Sequence, residues 1–168
     1  MSSALKQYVG VLDKWSIGAM DKSITRRNKN RGYQKLIIWN DAIEYYSITC
    51  DVFKVFGFEF KKIASQQYSS VDSVHRNIAE GYCRRSIKEY LQFLYIALAS
   101  LGESISGYTC YRRANQISGE EFDRLDVLAY KIENGLLKLI ESLEQKRDNH
   151  DWIDRMVIKE SNTAYGLN

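Results

Sequence analysis

Proline is absent from the 168-residue sequence, where ordinary usage is about 5% of residues. A chain without proline has no forced helix break, so long helices are expected. Cysteine is scarce. Cys50, Cys83 and Cys110 are odd in number, far apart and outside any C-x-x-C spacing, which argues against a disulfide framework and a zinc site and fits a reducing, cytoplasmic setting. No apolar run approaches the roughly 18 residues of a membrane span, and the start MSSALKQYVGVLDKW lacks the charged-then-apolar layout of a signal peptide. No membrane association is expected. Also missing are a phosphate-cradling G-x-x-x-x-G-K-[ST] loop, a nucleophile elbow and an H-E-x-x-H pair.

Isolated reactive groups do not fill that gap. His75 follows Asp72 by three residues and His150 sits in DNHDW, yet neither has a convergent third ligand of the kind zinc requires. Cys83 adjoins Arg84 and Arg85, a setting that lowers a thiol pKa, but no histidine base is near it. A non-enzymatic protein with no catalytic residues, metal or cofactor is therefore expected.

What the sequence does have is helical periodicity. Ile87, Leu91, Leu94, Leu98, Leu101, Ile105 and Tyr108 recur at alternating steps of four and three, the seam of a helix packed lengthwise on others. The same alternation places Leu36, Trp39, Ile43, Tyr46, Cys50 and Phe53 on one helix, and Phe122, Leu125, Ala129, Ile132, Leu136, Leu139 and Leu143 on another. Phe60, Ile63, Val71, Val74 and Ile78 keep the period with an interruption at Gln67. Two S-x-x-E patterns, Ser86 with Glu89 and Ser118 with Glu121, mark helix starts: the hydroxyl accepts from a first-turn amide and the carboxylate reaches back. The spacing predicts helices near 33–56, 59–80, 86–114 and 119–147. Short connections make successive helices antiparallel. The expected architecture is an all-α, up-down-up-down antiparallel four-helix bundle over residues 33–148, preceded by a basic arm, 1–32, and followed by a short tail, 149–168.

Charge is unevenly spread. Residues 1–35 hold eight lysines and arginines against two aspartates, a balance of +6, and the remainder holds sixteen against nineteen, −3. A basic arm on a mildly acidic body suits nucleic acid, and is equally the pattern of a solubilising tail. The antiparallel order would collect Arg76, Arg84, Arg85 and Lys88 at one end of the bundle, beside the arm residues Arg26, Arg27, Lys29 and Arg31. Guanidinium forks match phosphate oxygens. The competing use of these arginines is pairing with Glu80 or Glu89. The third helix is apolar on more sides than one bundle buries, and the stripe Tyr90, Phe93, Ala97 and Ser100 has small residues suited to close helix approach, so it is expected to form an interface between subunits.

The segments YQKLIIWNDAIEYY and NIAEGYCRRSIKEYLQFLYIALASLGE resemble small bacterial four-helix-bundle proteins encoded in intervening sequences of large-subunit ribosomal RNA genes, which in turn look like the accessory variability proteins of diversity-generating retroelements. The resemblance spans about residues 33–146. It implies the same bundle, assembly into a ring-like homopentamer and binding to RNA or DNA; a protein partner such as a reverse transcriptase is the alternative. The chain departs from that pattern where members commonly carry a proline before NIAEG, here His75 and Arg76, and a pair of arginines earlier in the second helix, here Tyr68 and Ser69.

Overall fold

The computed structural model describes residues 29–152. The described chain is all-helical, with four long helices and no strand: α1, Ile37–Phe53; α2, Lys61–Tyr82; α3, Ile87–Arg113; and α4, Gly119–Asp148. A 3-10 turn, Lys29–Lys35, leads into α1, and another, Phe58–Phe60, leads into α2. No helix among the described residues is long and apolar enough to cross a membrane.

The expected S-x-x-E starts differ in the structure. Ser118 and Glu121 form both reciprocal bonds of the capping box, Glu121 N to Ser118 Oγ at 3.1 Å and Ser118 N to Glu121 at 2.7 Å. Ser86 caps α3 by accepting from the Lys88 amide at 3.2 Å, while Glu89 faces Arg84. Only half of that box forms.

The helices close into a ring in which α1 packs on α2 and α4, and α3 packs on the same two neighbours. The core follows the expected seams in α2, α3 and α4: Val71, Val74, Ile78, Leu94, Leu101, Tyr108, Leu125, Ile132 and Leu136 are all fully buried. The face of α1 is a correction. Its core side carries Ala42, Tyr45, Thr49, Val52 and Phe53, whereas Ile43 is exposed and Trp39, Tyr46 and Cys50 are half-buried. Apolar periodicity misplaced this face because two buried positions are polar: the Thr49 hydroxyl donates to the Tyr45 carbonyl at 2.8 Å, and Asp41 accepts from Lys131 at 2.8 Å.

Gln67, which breaks the apolar pattern of α2, lies in the core. Its amide nitrogen reaches Ser104 Oγ at 2.7 Å, and the same oxygen is 2.7 Å from the Tyr45 hydroxyl. One serine thus ties α1, α2 and α3 together, and burial of polar groups is tolerable because they are mutually bonded. The closest pair is α2 with α3. At Gly81 an added Cβ would lie 2.8 Å from the Tyr90 ring, 2.9 Å from Phe93 Cβ and 3.2 Å from the Tyr90 carbonyl, so only glycine fits there.

Candidate nucleic-acid interface

The turn between α2 and α3 and the lead-in to α1 meet at one end of the molecule. Gly32 lies so close to the Tyr82 hydroxyl that any side chain at position 32 would collide with it. The Tyr33 ring stands edge-on to Tyr82 at 6.3 Å and to Trp39 at 5.3 Å, and Tyr82 is edge-on to Tyr90 at 6.2 Å. This aromatic row anchors Arg31 and Lys35, which flank Tyr33, beside Arg84 and Arg85, which follow Tyr82. The end of α4 comes to the same place, since the Tyr95 hydroxyl near the start of α3 donates to Glu144. Trp152, beyond α4, packs against the core.

The residues expected to contact phosphate divide into two groups. Arg76 is bonded to Asp72 one turn earlier on α2, and Arg84 is bonded to Glu80, reaches Glu89 at 3.9 Å and lies 4.6 Å over the Phe93 ring. For Arg76 and Arg84 the competing use, ion pairing within the chain, is the one realised. Arg31, Arg85 and Lys88 are exposed and have no carboxylate partner among the described residues, and the same holds for Lys35 and Lys146. Four nearby carboxylates are already engaged, Glu80 and Glu89 by Arg84, Glu144 by Tyr95 and Asp148 by Arg147, whereas Asp151, whose amide donates to the Lys146 carbonyl, has no cation partner among the described residues. Arg26 and Arg27 lie outside the described residues, and of Lys29 only the backbone in the 3-10 turn is described.

Titration follows the same geometry. Asp72 is part-buried, which alone would raise its pKa, but the bonds from Arg76 and His75 bring it below the ordinary carboxylate value. Burial pushes the Cys83 thiol up, and Glu80 adds to the effect, so the lowered pKa that its two arginine neighbours suggested is not found. His75 is held by Asp72 at 3.1 Å and by the edge of the Tyr46 ring. No group of three or more potential metal ligands converges among the described residues.

The stripe expected between subunits is a further correction. Tyr90 and Ala97 are buried inside the chain, Phe93 is half-buried against Gly81, and Ser100 donates to Ser73 on α2 at 3.0 Å. Close approach of helices was the right use for these small residues; the partner is α2 of the same chain. The face of α3 that stays open holds Gln92, Tyr95, Ile96, Ala99 and Gly102, with Lys88 and Arg147 at the rim of a shallow groove over it.

A family profile described as 23S rRNA-intervening sequence protein matches residues 34–138. The chain belongs to this family. The matched span runs from the lead-in to α1 through most of α4, and so contains Arg85 and Lys88 but not Arg31 or Lys146. No curated protein matches the sequence.

Proposed function

We propose that this member of the intervening-sequence protein family is a non-enzymatic, self-associating bundle, up-down-up-down and antiparallel, that binds nucleic acid through its phosphates at the α2–α3 end. The observation that carries the reading is the set of cations there with no carboxylate partner among the described residues. Arg31, Lys35, Arg85, Lys88 and Lys146 are exposed while Glu80, Glu89, Glu144 and Asp148 are occupied, so a phosphate meets donors that leave no partner among the described residues. Arg26, Arg27 and Lys29 of the arm would extend the same surface. Self-association multiplies such a weak site into an avid one. The open face of α3 supplies the surface for it, and five copies is what the resemblance implies. Cys50, Cys83 and Cys110 form no disulfide among the described residues, which suits a cytoplasmic setting.

The test is charge reversal at one end against the other. Arg85→Glu with Lys88→Glu should cost at least about tenfold in affinity for any sequence, and should flatten the dependence of log K on log salt by roughly 0.7–0.9 for each phosphate that is no longer neutralised. Arg112→Glu with Arg113→Glu, at the far end, should cost much less. Equal losses would reduce the charge to a diffuse field, and no loss in either would end the nucleic-acid reading.

A second reading has its own observation. Phe58 is 88% exposed and Val55 72% exposed on the turn between α1 and α2, and exposed apolar side chains of that size suit insertion into a protein partner. An adaptor bundle bound to a protein such as a reverse transcriptase would use that turn. Binding insensitive to salt and abolished by Phe58→Ser would favour it.

A further inference from the structure

We infer that the ligand of the α2–α3 end is single-stranded rather than duplex nucleic acid, an inference that rests on the phosphate-binding reading above. Cations alone favour a duplex, whose phosphates are more densely packed along the axis. The cations here, however, surround aromatic rings. Tyr33 and Tyr82 are half-buried and edge-on to each other at 6.3 Å, with Arg31 two residues before one ring and Arg85 three residues after the other. Edge-on contacts, Trp39 at 5.3 Å from Tyr33 and Tyr90 at 6.2 Å from Tyr82, hold both rings in place. Such a platform is already ordered, so a ligand does not have to organise it.

Base faces are free to stack on aromatic side chains only in an unpaired strand. In a duplex they are buried against one another. Guanidinium and ammonium groups at the rim of a fixed aromatic row therefore match a strand that lays its phosphates on Arg31, Arg85 and Lys88 and its bases on Tyr33 and Tyr82. Stacking reads no 2′-hydroxyl, so RNA and DNA strands are equally suitable. The far end also carries exposed cations, Lys61, Lys62, Arg112 and Arg113, and packed rings of its own, Phe56, Phe60 and Tyr111, so the test must locate single-strand binding at Tyr33 and Tyr82.

The experiment measures binding of the full chain to a 20-nucleotide strand, as RNA and as DNA, and to the blunt duplex of each at matched salt. The single strands should bind more tightly than the duplexes by roughly tenfold, the order of one base–aromatic stack, and RNA and DNA strands should agree within a few-fold. Tyr33→Leu keeps an apolar side chain in the row and should lower single-strand affinity by about tenfold and duplex affinity much less; Tyr33→Phe should restore it. Tyr82→Leu provides the same reading from the other element if Tyr33→Leu misfolds. Duplex bound as tightly as single strand, or unchanged single-strand binding in both leucine variants, overturns this inference and leaves the phosphate reading standing. Binding to neither form overturns both.

Discussion

The two sides of α3 are built from similar residues and do opposite things. Toward α2 lie Tyr90, Phe93, Ala97, Ser100 and Ser104; outward lie Tyr95, Ile96, Ala99, Gly102 and Glu103. Each has an aromatic, small side chains and a polar group at helical spacing. The inner side is closed by bonds to α2, Ser100 to Ser73 and Gln67 to Ser104, and by the close approach at Gly81, whereas at Gly102 an added Cβ would meet nothing within 4 Å. Small residues allow close approach without saying what approaches. Complementary polar partners on the neighbouring helix decide which side is inside.

The largest break in that comparison is expected at Ser104, which is fully buried and serves both the Tyr45 hydroxyl and the Gln67 amide. Ser104→Ala leaves the buried Tyr45 hydroxyl without this partner, at about 1–3 kcal/mol when unsatisfied, and weakens the hold on the Gln67 amide, which keeps the Ser104 carbonyl at 3.2 Å, so a loss of about 2–3 kcal/mol in urea unfolding is expected. Ala97→Leu should follow at about 2 kcal/mol, the usual cost of overpacking a filled core, because Ala97 has no exposed surface. Wild-type stability for Ala97→Leu would mean that the stripe faces solvent after all. Gly102→Ala should move the other way. It adds helix propensity of roughly 1 kcal/mol where nothing obstructs the methyl, and thermal melting should show the gain.

Tyrosine titration sharpens the contrast between the sides. Burial raises the Tyr90 pKa, whereas the exposed Tyr95 is raised chiefly by its bond to the Glu144 carboxylate. In both cases the folded chain favours the neutral phenol, so the associated stability is present below the ordinary tyrosine value of 10.0 and is lost as pH rises past it. Glu144→Gln should bring the Tyr95 transition down toward 10.0 in ultraviolet difference spectra and leave Tyr90 unmoved until alkaline unfolding. A shift in both would mean that the two rings share an environment.

Much of this molecule was legible from spacing. The missing proline, the Ser118 capping box and the seams of α2, α3 and α4 anticipate helices whose ends fall within about two residues of those found for α2, α3 and α4. For α1 both ends were overextended, because a 3-10 turn precedes Leu36 and the chain leaves the helix at Lys54. The misread parts share one cause. Asp41, Thr49, Gln67 and Ser104 are buried polar residues, invisible to a search for apolar period, and each is buried only because a distant residue or the local carbonyl satisfies it. The cationic end is similar. Arg76, Arg84, Arg85 and Lys88 look alike in sequence, and the positions of Asp72, Glu80 and Glu89 separate those that are paired from those with no carboxylate partner among the described residues.

A modest effect on stability is expected where the effect on assembly should be greatest. Tyr95 and Ile96 are 44% and 41% exposed in the single chain, so replacing both with serine removes part of their packing and the Tyr95 bond to Glu144, a loss of about 1 kcal/mol. If copies of the chain meet through the open face of α3, the same side chains lie between them, where removal of a buried aromatic and a buried aliphatic weakens association far more than it weakens the fold. Sedimentation at micromolar concentration should then show the wild type as an oligomer and Tyr95→Ser with Ile96→Ser as a folded monomer that still melts cooperatively. An oligomer that survives the double change moves the interface to another surface, with Val127, Tyr130 and Leu137 on the exposed side of α4 the next to be altered. A wild type that sediments only as a monomer removes avidity from the proposed function, and nucleic-acid affinity would then rest on the unpaired cations of one chain.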